Sequence, residues 1–487
     1  MSTFRSVFGW LLQGSLLVLL VLVGLIAVAR FIYPTAAQRE AVAELERWPS
    51  YEGKNAAALL WSLHYDVPMA DLDRVFASDL ARQEQLQQAF DEGLAPASDP
   101  SAFAWVSARE SYGSLAPNLE HAPKPCGSYQ PGCLARVRDD LPAYGAAVAS
   151  AAALLERMEA LQGYDFIRDP VRSLAWQPDG SLRVGFRGLL NWDIPFTWLR
   201  TRYALQFAQG QTTAALAGLC RNLLTWRRLG AQSDTLIWQM GFLGTSEGDS
   251  MLLAEMLAEL PTDKPLPAPC DEALLPPTAD EQSLCNSMRG EFANAMLLVD
   301  AIDRGLLDAR ALGADDWLSH IFSRIQDRDA LMGIYAVSFQ PFCDVPVSPG
   351  GVDQRLTASA GPSTTASTRR LSPLNCVTQR PGTCSLVQLG ASGYKTYQWR
   401  LYDNAARLRT LGTLLWLRKQ ADSGRSVAEL LASQAAMDQN PGLALSFQPE
   451  TQSLRLPLLM TGRGSHWTVP LPGSRVDRTQ SVPAAAE

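Results

Sequence analysis

The feature that most constrains this chain is an apolar run over residues 6–29 that contains no charged side chain. About 20 residues of α-helix suffice to cross the ~30 Å hydrocarbon layer of a bilayer. Trp10 lies near the start of the run and Tyr33 lies just beyond its end, where interfacial aromatic residues are common. The sequence therefore predicts a single transmembrane helix over residues 8–33, preceded by a cytoplasmic tail of residues 1–7.

A cleaved signal peptide is the alternative interpretation of the same run. Signal peptides have an apolar core of only ~7–15 residues, followed by small residues at the cleavage site. Ala27 and Ala29 fit the spacing of such a site, but the run is longer than that core. We therefore favour an uncleaved anchor. Arginines lie on both sides of the run, so the positive-inside rule does not decide the orientation of the chain.

The chain has eight cysteines, and all of them follow the apolar run. An even number of cysteines in an exported protein is typical of disulfides, although reduced structural thiols remain an alternative. No pair has the Cys-x₂₋₄-Cys spacing of a zinc site, so no metal and no cofactor is expected. Cys220 lies within a helical pattern and is interpreted as a buried free thiol. Turn residues favour three local disulfides, which are Cys126 with Cys133, Cys270 with Cys285, and Cys376 with Cys384.

These cysteines predict that the bulk of the chain lies outside the cytoplasm. We expect a single-pass protein of the bacterial inner membrane with a periplasmic body, and with the membrane as a partner through residues 8–33. Of the 487 residues, 47% are hydrophobic and 19% are charged, which excludes a disordered chain. The formal net charge of −7 argues against nucleic acid as a partner.

Apolar residues recur at three- and four-residue steps along most of the chain, including one long stretch over residues 139–162. This spacing predicts a mainly α fold, in which the N-terminal transmembrane helix is followed by a multi-helix extracytoplasmic body with small β-hairpins. Strands flank the turn Pro178-Asp179-Gly180, and Ser426 with Glu429 has the pattern of a capping box. The predicted regions are an N-terminal helical region (35–165), a β-hairpin (166–190), helical hairpins (195–340), a disulfide-tied loop region (341–396), C-terminal helices (397–436), a small β-ribbon (440–473) and a disordered tail (474–487).

The segment 244–248 has the G-x-S-x-G form of a nucleophile elbow, with Ser246 at its centre. Helical spacing predicts separate helices over residues 233–243 and 249–260, so the plainer interpretation is a turn between them. An α/β-hydrolase needs a parallel sheet, and the sequence shows few strands. Ser246 with His466 is therefore kept only as a weak alternative active site. Other nominal catalytic partners are Asp315, Asp316 and His320.

The chain has 13 tryptophans, and most of them lie among apolar residues, which favours packing in a core. Trp192 and Trp198 lie in a segment that Pro195 and Asp193 mark as a loop. We interpret these two tryptophans as the candidate binding residues, in a groove for a peptide, a glycan or a lipid tail.

Helical hairpins present concave surfaces that suit a protein partner. The sequence therefore predicts a membrane-anchored periplasmic binding or scaffolding factor of the bacterial cell envelope, without catalysis, and with an envelope protein as its partner. One alternative is an envelope serine hydrolase that uses Ser246. A further alternative is an inhibitor or immunity protein against an envelope-acting toxin.

Overall fold

The computed structural model describes most of the chain beyond the apolar run. The described residues are 34–91, 107–169, 193–303, 328–343, 381–438, 445–460 and 464–472, with the short strands 174–176 and 182–184 and the single positions Gly14 and Ser474. Apart from Gly14, the predicted anchor lies outside the described residues and stays a prediction. Across the described part of the chain, no helix combines the length and the apolar character needed to cross a bilayer.

The described body is mainly helical, as predicted. In chain order, its α-helices are α1 (Ala36–Glu46), α2 (Ala57–Trp61), α3 (Leu72–Asp91), α4 (Cys133–Asp139), α5 (Leu141–Ser150), α6 (Ala152–Ala160), α7 (Asp193–Ala208), α8 (Thr212–Ala231), α9 (Leu236–Glu259), α10 (Ala268–Ala273), α11 (Cys285–Asp303), α12 (Arg328–Phe339), α13 (Pro381–Lys419) and α14 (Val427–Asp438). Its strands are β1 (Leu174–Trp176), β2 (Leu182–Val184), β3 (Ser446–Gln448), β4 (Ser453–Pro457) and β5 (His466–Pro470).

Both predicted β elements are confirmed. Strands β1 and β2 pair antiparallel, with Ala175 opposite Arg183. Strands β3, β4 and β5 form a three-stranded antiparallel sheet in that order. On β4, buried Leu454 and Leu456 alternate with exposed Arg455, so one face of the small sheet packs on the helical body.

The predicted helix over residues 139–162 is divided into α5, α6 and a 3₁₀ turn over Leu161–Gly163, which corrects its length. Asp140 ends α4 and caps α5, because its carboxylate accepts a hydrogen bond from the backbone N–H of Ala143 at 3.1 Å. Pro142 follows in the first turn of α5, where its missing N–H has no intrahelical partner to lose. Local capping therefore overrides the continuous apolar spacing.

The larger of two hydrophobic cores, called here the first core, is built mainly from α7, α8 and α9. Aromatic rings lie at its centre. The Trp226 ring stacks on Phe242 at a centroid distance of 5.8 Å, and Phe196 meets Trp226 edge-on at 5.2 Å. Such pairs favour one defined packing of the three helices.

A separate cluster, called here the second core, joins α1, α11, α12, the N-terminal part of α9 and the middle of α13. Helices α1 and α12 run side by side in the same direction. Gln38 packs on Gly333 near one end, and Gln340 donates a hydrogen bond to Glu44 at 2.9 Å near the other. Helix α1 follows the predicted anchor, so the second core is the part of the body nearest to it along the chain.

Three disulfides are present among the described cysteines. Cys126–Cys133 confirms the predicted local pair. Cys220 pairs with Cys270, so the interpretation of Cys220 as a free thiol is wrong. Cys285 pairs with a cysteine far along the chain rather than with Cys270, so that predicted pair is also wrong. The predicted partnership of Cys376 with Cys384 lies outside the described side chains.

The physical reason for these corrections is tertiary packing. Helix α10 lies against α8, which brings the Cα atoms of Cys220 and Cys270 to 4.9 Å across a sequence separation of 50. The third disulfide joins Cys285 to Cys343 across a separation of 58. Closing loops of these lengths stabilises the fold by about 4 kcal/mol each in the chain-entropy model.

We predict that Gly290→Ala lowers the free energy of unfolding by about 2–3 kcal/mol, because an added Cβ would overlap the backbone carbonyl of Asp234. The matched control is Gly145→Ala on α5, where an added Cβ meets open space. That control should raise stability by up to about 1 kcal/mol through helix propensity. Urea denaturation of both variants measures the difference, and equal stabilities would contradict the described packing of α11.

Candidate functional site

The candidate site is built around α9, a 24-residue helix that is buried on nearly all sides. It packs against α7, α8, α11 and α13. Helices in such positions are usually apolar all round, but α9 also buries a run of polar side chains. These are Thr245, Ser246, Glu247, Asp249 and Ser250.

The G-x-S-x-G segment lies in the middle of α9, so it is neither an elbow nor a turn between helices. An elbow needs a strand followed by a sharp turn. Its two glycines have packing reasons instead. A Cβ at Gly248 would overlap the guanidinium of Arg200, and a Cβ at Gly244 would press on the hydroxyl of Tyr129. Only glycine leaves room for these neighbours, which accounts for its presence here although each glycine costs a helix about 1 kcal/mol.

An ion pair between Arg200 on α7 and Asp249 on α9 lies at the centre of the first core. The Nε of Arg200 donates to Oδ1 of Asp249 at 2.7 Å, and both side chains are 1% exposed. Arg200 also donates to the carbonyl oxygens of Cys126 at 2.8 Å and Thr245 at 2.9 Å. The Nε1–H of Trp226 donates to the second oxygen of Asp249 at 2.8 Å.

These additional hydrogen bonds make the buried pair tolerable, because removing two charges from water is costly unless their remaining donors and acceptors are satisfied. Burial raises the pKa of Asp249, and the pairing with Arg200 and the Trp226 N–H opposes that rise. The pair therefore joins α7, α8, α9 and the loop that starts at Cys126.

The structure separates the residues of the alternative active site. The hydroxyl of Ser246 donates to the amide oxygen of Asn404 at 3.2 Å, and an amide is not a general base. The exposed ring of His466 contacts Ser465 at 3.0 Å and Arg455 at 3.1 Å. Ser246 and His466 share no hydrogen bond among these contacts. Asp315, Asp316 and His320 lie outside the described residues.

The candidate binding tryptophans are not found on a loop that the structure describes. Helix α7 already begins at Asp193, because Pro195 is tolerated in a first helical turn. Trp198 is 2% exposed and packs in the first core. Its side chain is therefore not available to a groove ligand. Trp192 lies outside the described residues.

The loop closed by Cys126–Cys133, called here the disulfide loop, is held firmly at both ends. At its start, the N–H of Cys126 donates to the hydroxyl of Thr201 at 2.9 Å, and its carbonyl accepts from Arg200. At its end, the carboxylate of Glu255 on α9 accepts the N–H groups of Gly132 at 2.6 Å, Cys133 at 3.3 Å and Leu134 at 2.9 Å.

Glu255 is therefore a buried carboxylate that caps α4. Burial raises its pKa, while the three backbone N–H groups favour the charged form and oppose the rise. Within this fixed loop, Tyr129 keeps 39% of its surface exposed. The geometry thus presents an aromatic side chain on a loop with little freedom left.

Two other loops are held by arginine in the same manner. Arg227 pairs with Glu281 at 2.7 Å and donates to the carbonyls of Ala273 and Leu275 at 2.6 and 2.9 Å. Arg418 donates to the carbonyl of Leu260 at 3.0 Å and to those of Pro261 and Lys264. A guanidinium has five donors in a planar fork, which suits several carbonyls at once.

In the described part of the chain, no group of three or more His, Cys, Asp or Glu side chains has the geometry of a metal site. Comparisons with models of protein families, with curated proteins and with solved structures find no match to this chain.

We predict that Asp249→Asn lowers the free energy of unfolding by about 3–5 kcal/mol, because it leaves the buried charge of Arg200 without its counter-ion. The matched control is Glu259→Gln, which breaks the half-exposed pair with Arg138 and should cost less than about 1 kcal/mol. Urea denaturation of both variants tests this difference. Similar losses of stability in the two variants would show that the buried Arg200–Asp249 pair contributes no more to stability than the partly exposed pair does.

We also predict a pH effect at His64. Burial, and then the charge of Arg109, lowers the pKa of His64 below 6.5. The unfolded chain therefore binds a proton at His64 more readily than the folded chain does, and this contribution to stability is lost as the pH falls below about 6.5.

The measurement is the free energy of unfolding of the wild-type protein and of His64→Gln at about pH 8 and about pH 5.5. The free energy of unfolding of the wild-type protein minus that of the variant should be smaller at the lower pH than at the higher pH. A difference that does not change with pH would contradict the lowered pKa.

Proposed function

We propose that this chain is a membrane-anchored extracytoplasmic protein whose helical body binds a protein partner in the bacterial cell envelope. The observation that carries the proposal is the set of three disulfides, two of which join residues 50 and 58 positions apart. Disulfides of this kind persist in oxidising compartments and are rare in the bacterial cytosol. The apolar run over residues 6–29 supplies the anchor in this proposal.

The disulfide loop supports a binding role for the body. Ordering a loop on association costs free energy, so a loop that is already fixed binds at lower cost. Tyrosine offers a large contact area with few rotatable bonds and is enriched at protein interfaces. Arg200, Thr201 and Glu255 fix the loop, and Tyr129 is its exposed aromatic residue.

A non-catalytic role agrees with the bonding of the polar groups on α9. Both oxygens of Asp249 and of Glu255 accept hydrogen bonds from within the protein, and the hydroxyl of Ser246 donates to Asn404. Their contacts are those of groups that fix helices and loops in place.

The first experiment tests location. Alkaline phosphatase fused after Glu487 folds only where its disulfides form, so we expect an active fusion in membranes. A fluorescent protein that matures only in the cytoplasm, fused at the same point, should stay dark. The reverse pattern would overturn the proposed orientation.

The second experiment tests binding by the disulfide loop. A photo-crosslinking amino acid at position 129 should capture an envelope protein in intact cells, whereas the same probe at Met69, which is 50% exposed, should not. With the captured protein purified, Tyr129→Ala should weaken affinity by about 30-fold or more, as for an interface hot spot. Capture at both positions alike, or unchanged affinity, would contradict the proposal.

A further inference from the structure

The three described disulfides differ in their exposure to solvent. The cysteines of the pairs Cys126–Cys133 and Cys220–Cys270 are at most 3% exposed. Cys285 and Cys343 are partly exposed. Thiol–disulfide exchange requires a thiolate to approach a sulfur atom directly, so its rate depends on access. An external reductant therefore reaches the pair Cys285–Cys343 first.

This disulfide adds a covalent link to the packing of α12 on α11 and α13. It joins the start of α11 to the residue that follows the 3₁₀ turn Gln340–Phe342 at the end of α12. The chain on either side of this helical unit runs through residues 304–327 and 344–380, which lie outside the described residues. Among the described residues, Cys285–Cys343 is the direct covalent link between α12 and α11.

Helix α12 in turn supports α1. Ala41 and Leu45 of α1 are buried in the second core together with Met332, Ala336 and Phe339 of α12. Helix α1 has 11 residues, and a helix of that length is marginal in water without tertiary packing. Loss of α12 would therefore remove most of the surface against which α1 packs and leave only its smaller contact with α11, while the first core would keep both of its buried disulfides.

We propose that Cys285–Cys343 is a redox-sensitive clasp, whose reduction releases α12 and α1 from the second core and leaves the first core folded. The reaction is exchange with an external dithiol. Two electrons and two protons pass to the cystine, whose S–S bond breaks to give two thiols, and the dithiol closes to a disulfide. The consequence rests on the proposed function, in which the chain is anchored in a membrane. Release of α1 would then lengthen the segment between the membrane and the first core.

The test uses the full-length protein in detergent micelles, titrated with the dithiol dithiothreitol, alkylated, and analysed peptide by peptide. Cys285 and Cys343 should become alkylated at a concentration about tenfold or more below that needed for the four buried cysteines. At that point, amide hydrogen exchange should become faster in α1 and α12 and stay unchanged in α7 and α8. Reduction of a buried pair first, or continued protection of α1 after the clasp opens, would overturn the proposal.

Paired serine variants separate the clasp from a general loss of stability. The variant Cys285→Ser with Cys343→Ser should exchange rapidly in α1 without reductant, and dithiothreitol should add nothing further. The matched variant Cys220→Ser with Cys270→Ser should keep α1 protected until dithiothreitol is added. If that variant fails to fold, the titration of the wild-type protein alone still decides the order of reduction. The outcome does not depend on the fusion reporters, so the clasp and the proposed location can fail independently.

Discussion

The buried ion pair between Arg200 and Asp249 holds the first core in its observed arrangement. Each partner is almost wholly removed from water, so the pair is stable only while the carbonyls of Cys126 and Thr245 and the indole of Trp226 complete its hydrogen bonds. Those groups come from different parts of the chain. The requirement to satisfy two buried charges therefore fixes how α7, α8 and α9 pack and where the disulfide loop begins.

A similar arrangement is found at two other loops of the described chain, which Arg227 and Arg418 hold. Arginine side chains donate into the carbonyl groups that loops would otherwise leave without partners. Only five of the 42 basic residues of the chain are lysine, and the residue at each of these three positions is arginine. An ammonium group is a compact point charge and does not span several carbonyls as a planar guanidinium does.

Local signals predicted the local elements correctly. Strands β1 and β2, which precede and follow Pro178-Asp179-Gly180 in the sequence, pair antiparallel, and the capping box of Ser426 and Glu429 is present at the start of α14. The predictions were wrong for the disulfide partners and for the segment 244–248, where contacts between distant parts of the chain determine the structure. Cys270 pairs with Cys220 because α10 lies on α8, and α9 continues through 244–248 because the helices around it bury nearly all of its sides.

The sequence contains one signal of the buried ion pair between Arg200 and Asp249. Arg200 lies on the apolar face of α7, one turn from Phe196 and Tyr203, and both of those rings are buried. A charge at such a position requires a buried partner. The spacing could have identified Arg200 as a member of a buried network, but it could not name Asp249, which is 49 positions away.

Helix α9 belongs to both cores, since Leu236 and Leu243 lie in the second core whereas Leu252 and Leu257 lie in the first. A helix of 24 residues is roughly 36 Å long and resists bending when it is buried along its length. The two cores therefore cannot swing about a hinge between them. A pull applied at α1 reaches α9 through the packed side chains of the second core, and the first core, which shares α9, is displaced with it.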